Sequence, residues 1–170
     1  MDPRLKVLND EVDAFFDDVH GRYADQMACG VGCSACCKSG IVVTAIESHA
    51  ITELMSTMSA DERVALVERA GRDRDESCAA LDAAGRCMIY AARPLVCRAH
   101  GVPMRQASRL PVVACVKNFD EGTSLAEVPD EHVLEQQDVG AKLTVITKAF
   151  RQDQPGSVRV QGIRNVILRA

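Results

Sequence analysis

The stretch that decides the fold is "CGVGCSACC", residues 29–37, which places four of the chain's eight cysteines within nine positions. These four cysteines follow the helical spacing i, i+4, i+7 and i+8: Cys29, Cys33, Cys36 and Cys37. Gly30 and Gly32 each cost about 1 kcal/mol of helix propensity relative to alanine, which favours a loop over a helix. Four roles are open at this point: a disulfide framework, a redox pair, a buried apolar stripe, or a metal site.

The sequence around the cluster bears on these four roles. The first twenty residues alternate charged with apolar side chains, so no apolar leader is visible and we expect a cytoplasmic protein with reduced thiols. A thioredoxin-like redox pair needs its C-x-x-C at a helix start within a βαβ pattern. Cys33 and Cys36 have that spacing, but no parallel-strand pattern flanks them. Reduced, clustered cysteines of this kind are typical of metal sites.

The metal interpretation also accounts for the cysteines further along. C-x2-C spacing lets two thiolates bind one ion, and glycine permits the tight turn that this requires. Residues 72–118 show weak periodicity and are interrupted by five glycines and prolines. They hold the other four cysteines: Cys78, Cys87, Cys97 and Cys115. We expect these residues to form loops that a bound metal holds together.

The number of cysteines limits the kind of site. A tetrahedral zinc or a four-iron cluster takes four cysteines, and this chain has eight. Cys36 and Cys37 are neighbours, and neighbours in an extended chain point to opposite sides. This vicinal pair could therefore supply two sites from one loop.

Other side chains near the cysteines are candidates for a supporting role. A thiolate site carries negative charge, and five cations lie beside cysteines in the sequence: Lys38, Arg86, Arg93, Arg98 and Lys117. Glu47 could be an oxygen ligand or, with Thr44, one half of a helix capping box. His100, in Cys97-x2-His100, could be a nitrogen ligand, whereas His20, His49 and His132 are read as ordinary helix residues.

Helical periodicity predicts the frame that holds these loops. Residues 3–26 are expected to form an amphipathic helix, and a second is expected near 130–150. Thr44 with Glu47 and Ser59 with Glu62 have the capping-box spacing that starts a helix. The tail from residue 158 could be strand or helix. The fold class is predicted as mainly α, a small irregular single domain (1–170): an N-terminal helix (1–27), a cysteine-cluster core (28–120) and a C-terminal helical extension (121–170).

Composition excludes some partners. The net charge is −4, and no basic patch or polybasic stretch is present, which argues against nucleic acid and an anionic membrane surface. No window of 18 uncharged apolar residues occurs, so no transmembrane helix is expected. The partner that remains is a metal ion, and the sequence names no protein partner.

The pattern has a known counterpart. "CGVGCSACC", Glu47, "CAALDAAGRCMIYAARPLVCRAHG" at 78–101 and finally Cys115 together resemble the YkgJ-type cysteine-cluster (CxxCxxCC) family over about residues 29–118. The resemblance implies a zinc- or iron-chelating domain whose eight cysteines belong to one constellation with five further residues: Glu47, Tyr90, Arg93, Pro94 and Arg98. A similar cluster accompanies other sequence in flagellin lysine methylases.

Three functions follow from these observations. The first is a metal-binding protein whose zinc or iron is structural or is cargo. The second is an iron–sulfur redox or enzyme-accessory protein, since eight thiolates suit both kinds of centre. The third is a methyltransferase-type enzyme, against which stands the lack of a strand, Gly-rich turn and helix to hold a nucleotide-like cofactor. We expect no autonomous catalysis.

Overall fold

The computed structural model describes residues 1–30, 32–72, 76–119 and 124–170. These residues form six α-helices: α1 (Pro3–Arg22), α2 (Ala45–Thr57), α3 (Ala60–Gly71), α4 (Leu95–Ala99), α5 (Gln136–Asp153) and α6 (Ile163–Arg169). They also form five short strands: β1 (Val42–Thr44), β2 (Met104–Arg105), β3 (Val112–Val113), β4 (Leu134–Glu135) and β5 (Val160–Gly162). The structure is 54% helical, which agrees with the predicted mainly helical class.

The helix starts follow the signals in the sequence. The Asp2 side chain accepts a hydrogen bond from the Arg4 backbone N–H, and Pro3 occupies the first turn of α1. Both capping boxes are present, Thr44 with Glu47 at α2 and Ser59 with Glu62 at α3. Local capping chemistry therefore sets where three of the helices begin.

Two helix boundaries differ from the prediction. The first helix ends at Arg22 rather than near residue 26, and a single 3-10 turn, Ala24–Gln26, follows it. The C-terminal helix begins at Gln136 rather than near 130, because Leu134 and Glu135 pair with β2 as a parallel strand. Tertiary pairing here overrides the local helical pattern.

Two small sheets connect distant parts of the chain. β1 pairs antiparallel with β5, and β2 lies between β3, antiparallel, and β4, parallel. The C-terminal tail, predicted as strand or helix, contains both β5 and α6. Through β5 and the buried Ile163, Val166 and Ile167 of α6, this tail is part of the core.

The hydrophobic core has two main parts. The first core cluster joins α2, α3 and α6 through side chains such as Ile46, Ile51, Leu66 and Ile167, each 0% exposed. The second core cluster lies at the end of α1 and contains Val19, Met27, Val102, Phe119, Val128, Val133 and Leu134. A smaller cluster of Leu8, Val12 and Leu95 joins α1 to α4. In the described ranges no helix is long and apolar enough to cross a membrane.

Candidate metal centre

The cysteine-rich stretch is a loop. No described residue between Ala28 and Ile41 is helical, so the interpretation of a buried helical stripe is wrong. Gly32 has φ +89°, a conformation that glycine adopts without strain, and this fits the predicted turn. Cys33 and Cys37 close short turns by donating their N–H groups to the carbonyls of Gly30 and Ser34. All eight cysteines are free thiols, which is contrary to a disulfide framework.

A first group of thiols is assembled at the second core cluster. Met27 pairs with Asn118 as an isolated antiparallel bridge, and this brings the chain before Cys29 beside the chain after Cys115. Asn118 is buried, and its side-chain amide lies 3.3 Å from the Cys29 sulfur and 2.7 Å from the Gly101 carbonyl oxygen. Its Oδ1 accepts from the Ala28 N–H. Asn118 thus holds Cys29 and its neighbour Ala28 and connects them to Gly101.

A second group is assembled at the first core cluster. Lys38 pairs with Ser77 as an antiparallel bridge, and the Cys78 N–H donates to the Cys37 carbonyl at 2.9 Å. A further bridge between Leu81 and Cys87 folds the chain back, so that Cys87 returns toward Cys78. Cys78 is buried in the first core cluster, and Cys37 and Cys87 pack against it.

The short helix α4 brings in Cys97. Glu47, which is 4% exposed, accepts from the Leu95 N–H at the start of α4 through Oε1. Its Oε2 accepts from the N–H and the hydroxyl of Thr44. Glu47 is therefore the buried capping residue of α2, which is one of the two roles that its sequence position allowed. It also orients α4, the helix that carries Cys97. Both of its oxygens are engaged in these bonds.

The pKa values of two thiols in the second group are dominated by burial. Burial is the main cause that raises the pKa of the Cys37 thiol to about 12. Negative charge on the Cys36, Cys78 and Cys87 thiols contributes in the same direction. Burial likewise raises the pKa of the Cys97 thiol to about 12, and the next contributions come from Cys78, Cys37 and Cys87, with Cys36 last. These sulfurs share a poorly solvated space in which several negative charges are costly without a cation.

The first group shows the same behaviour. Burial raises the pKa of the Cys29 thiol, and the hydrogen bond from Asn118 lowers it. Negative charge on Cys115 and Cys33 raises the pKa further. The pKa of Cys36 is raised chiefly by burial, and Cys115 and Cys33 again contribute. Charge on Cys33 and Cys115 thus raises the pKa of both Cys29 and Cys36.

The vicinal pair lies where the two groups meet. The Lys38 N–H donates to the Cys36 carbonyl across Cys37, and charge on Cys36 adds to the burial that raises the pKa of Cys37. The expectation that these neighbours point to opposite sides assumed an extended chain, and the chain here makes a tight turn instead. The pair remains the covalent junction between the two groups.

The predicted supporting residues have different surroundings. Arg93 lies over the Tyr90 ring at 4.4 Å, binds Asp13, and lowers the pKa of Cys87, which burial raises. Arg98, with an 8% exposed side chain, pairs with Asp13 and donates to the carbonyls of Arg93 and Ala91.

The remaining predicted residues lie further from a direct role. Arg86 pairs with the Asp82 carboxylate on the surface, and Lys38, Lys117 and His100 are exposed. Pro94, the residue before α4, is buried.

Three residues that sequence reasoning missed are part of this arrangement. Asp13 on α1 holds both Arg93 and Arg98, and so connects α1 to the segment around α4. Asn118 holds Cys29, and Gly101, at φ +117°, leaves room for the Cys29 sulfur, which a Cβ at this position would approach to 2.7 Å. The proximity of Asn118 to Cys115 in sequence was the only available signal, because the other two act on residues far away in the chain.

The donor set decides which metals the cysteines could bind. In the part of the chain that is described, no group of three or more His, Cys, Asp or Glu side chains is arranged to hold a metal ion as it stands. The thiols nevertheless lie in two groups of near neighbours, and soft thiolates suit zinc, copper(I) and iron–sulfur centres. A cation would offset the charge that burial disfavours, so the chemistry of these side chains, though not their present arrangement, suits such a group.

Comparison with known proteins gives one match. Residues 28–116 match the family model CxxCxxCC, described as "Putative zinc- or iron-chelating domain". No curated protein and no solved structure matches the chain. The matched range begins one residue before Cys29 and ends one residue after Cys115, so it includes all eight cysteines.

Proposed function

We propose, because the chain belongs to the CxxCxxCC family, that it binds zinc or iron through the thiolates of its eight cysteines. The observation that supports this most is the pair of backbone bridges, Met27 with Asn118 and Lys38 with Ser77. They bring together thiols from three separate parts of the sequence: the loop 28–41, Cys78 and Cys115. Such long-range convergence of soft ligands has a clear use in metal binding.

The role that we assign to the metal is structural. The ligands lie on loops that contact two different core clusters, and a bound ion would connect them. Binding requires deprotonated thiols, so the metal would replace protons as it binds. Within one domain, the cysteine segment 28–120 would be the metal-binding core, and a reducing compartment such as the cytoplasm would keep its thiols available.

An iron–sulfur centre is the alternative use of the same ligands. The four-cysteine groups have the composition that a [4Fe–4S] cluster requires as well as that of a zinc site. An electron-carrier or enzyme-accessory role would follow from such a cluster, whereas zinc has no redox chemistry and leaves the structural and cargo roles.

The test is metal analysis of protein purified anaerobically under reducing conditions, together with its visible absorbance spectrum. We expect zinc or iron at about one to two sites per chain, given four thiolates per site. Visible charge-transfer bands would indicate iron–sulfur, and a colourless zinc protein would indicate the structural role. Protein whose thiols have been alkylated before metal addition is the control, and it should bind neither metal. A reduced, folded protein that binds neither zinc nor iron would contradict the proposal.

A further inference from the structure

The backbone pairing at the end of the cysteine loop places two cysteines opposite each other. Lys38 and Ser77 form an isolated antiparallel bridge, and next to it the Cys78 N–H donates to the Cys37 carbonyl oxygen at 2.9 Å. Because the register is antiparallel, the residue before Lys38 lies opposite the residue after Ser77. Cα atoms of such hydrogen-bonded opposite residues are about 5.5 Å apart. This separation is within the range of about 4.4–6.8 Å that is usual for two cysteines joined by a disulfide bond.

The same geometric requirement disfavours a bond within the vicinal pair, Cys36 and Cys37. Cα atoms of adjacent residues lie about 3.8 Å apart across a trans peptide bond, which is below the usual disulfide range. All eight cysteines lie in the described part of the chain, and the bridges and strand pairs found there place no other two of them opposite each other. Backbone geometry therefore selects Cys37 and Cys78.

Both residues are anchored near the first core cluster by contacts outside the cysteine loop. Cys78 is 7% exposed and belongs to that cluster, and Cys37 packs against it. Ile41, four residues after Cys37, accepts a hydrogen bond from the Ile163 N–H at 3.0 Å. The end of the loop is thus tied to the strand pair of β1 and β5. Cys37 and Cys78 therefore stay near each other even where the preceding loop loosens.

We propose that Cys37 and Cys78 form a reversible disulfide bond when the chain carries no metal. The oxidant is a low-molecular-weight disulfide such as oxidised glutathione. Cys37, the more exposed of the two, attacks one sulfur of that disulfide and releases the first glutathione thiol. Cys78 then attacks the Cys37 sulfur of the mixed disulfide and releases the second. Two electrons and two protons pass in this way from the protein thiols to glutathione.

The disulfide would regulate the metal site. The inference rests on the proposed function in this respect, since a metal binds thiolates and a disulfide contains none. A metal would hold the end of the loop under reducing conditions, and the bond between Cys37 and Cys78 would hold it under oxidising ones. Burial raises the pKa of the Cys37 thiol to about 12, which slows its attack at neutral pH. The equilibrium yield of the disulfide, rather than its rate of formation, is therefore the property to measure.

The experiment uses the full chain, freed of metal by a chelator and equilibrated with defined ratios of reduced to oxidised glutathione. Free thiols are then blocked with N-ethylmaleimide, and the protein is digested with trypsin. Cleavage after arginine and lysine leaves Cys78 alone in the peptide 75–86 and all four loop cysteines in the peptide 23–38. We expect the loss of two of the eight thiols and a disulfide between these two peptides, with the blocking group on Cys29, Cys33 and Cys36. Eight blocked thiols at every glutathione ratio, glutathione attached to single cysteines only, or a bond from another cysteine to Cys78 would overturn the inference.

Cys36→Ser and Cys37→Ser are matched variants, because they change adjacent positions of the same turn. Cys36→Ser should keep the disulfide to Cys78, and Cys37→Ser should lose it and keep all seven thiols. An equal yield of disulfide to Cys78 in both variants would contradict the selection of Cys37 by the backbone. In wild-type protein shown to bind zinc, zinc added before the oxidant should lower the yield, and an unchanged yield would contradict the regulation of the metal site. Wild-type protein that binds neither zinc nor iron would instead overturn the proposed function, while the metal-free experiment still decides whether the disulfide forms.

Discussion

The helical frame and the cysteine segment are held by different forces. Where α2, α3 and α6 of the frame meet, Ile46, Ile51, Leu66 and Ile167 are fully buried, and apolar burial accounts for their order. In the loop from Ala28 to Ile41, by contrast, no described residue is buried, and its order depends on a few hydrogen bonds, made with residues 76–78, with the Asn118 side chain and with Ile163. Fixing a residue's backbone costs roughly 1–2 kcal/mol. The comparison teaches that the frame has its own source of stability, whereas the loop needs another one, which we assign to the metal.

Removing the metal should therefore have the largest effect and should separate the two regions. Structural zinc contributes about 10–16 kcal/mol in small peptides, while a whole domain is stable by only about 5–15 kcal/mol. Under reducing conditions with a strong chelator, hydrogen exchange should become fast first at 28–41 and at its bonding partners 76–78. The amides of α2 and α3 should remain protected. Unchanged protection in the segment after proven metal loss would contradict a structural role and favour the redox or cargo role.

The buried ion pair between α1 and α4 should give the next largest effect. Arg98→Ala removes the bonds to Asp13 and to two carbonyls. Breaking a fully buried ion pair lowers the free energy of unfolding by about 3–5 kcal/mol. Because the Asp13 side chain is 35% exposed and still pairs with Arg93, we expect a smaller loss of about 2–4 kcal/mol. The measurement is urea unfolding of the metal-loaded protein. Arg86→Ala, which removes an exposed pair with Asp82, is the matched control and should change little. Equal effects of the two variants would mean that Arg98 does not connect the frame to the segment.

The two capping boxes offer a sharper comparison. Glu47→Gln replaces a buried carboxylate that accepts from Leu95 and Thr44, and the loss of charge-assisted bonds should cost about 1–3 kcal/mol. Glu62→Gln alters an exposed box of the same design and is the control, with little change expected. If Glu47 orients α4, its variant should also expose Cys97 to alkylation in the metal-loaded protein. If Cys97 is as well protected from alkylation in Glu47→Gln as in Glu62→Gln, Glu47 does not position Cys97.

Two glycines with positive φ give the smallest predicted effect. Gly101→Ala places a Cβ 2.7 Å from the Cys29 sulfur, whereas Gly156→Ala, also at positive φ, meets no atom within 4 Å. Both variants carry backbone strain, so their difference reports the contact with Cys29. A displaced ligand should lower zinc affinity about 10–100-fold at one site, by analogy with changes to residues that orient ligands. Zinc affinity is measured by competition with a chelator, and equal values for the two variants would contradict a role for Gly101 in placing Cys29.

The frame was largely predictable because its signals are local. Asp2 with Pro3, Thr44 with Glu47 and Ser59 with Glu62 each fix a helix start through residues at most three positions apart. The boundaries that differed, at Arg22 and Gln136, depend on partners far away in sequence: Leu134 forms a strand because Met104 lies beside it. Local patterns carry no information about such pairing.

The candidate site was predictable in its ligands but not in its arrangement. Thiol chemistry and spacing identified the cysteines, and a helix cap was already an open explanation for Glu47. The partition of the cysteines depends on the bridges at Met27 and Lys38, and the supporting contacts depend on Asp13 and Asn118. None of these has a distinctive sequence pattern, because an aspartate on a helix and an asparagine in a turn are common.

X-ray absorption at the metal edge tests most directly whether thiolates bind the metal. For zinc-loaded protein, the account predicts a first shell of about four sulfur atoms near 2.3 Å, the usual zinc–thiolate distance. For iron, it predicts a sulfur-dominated shell as well. A shell of nitrogen or oxygen near 2.0–2.1 Å would place the metal on other residues and contradict the account.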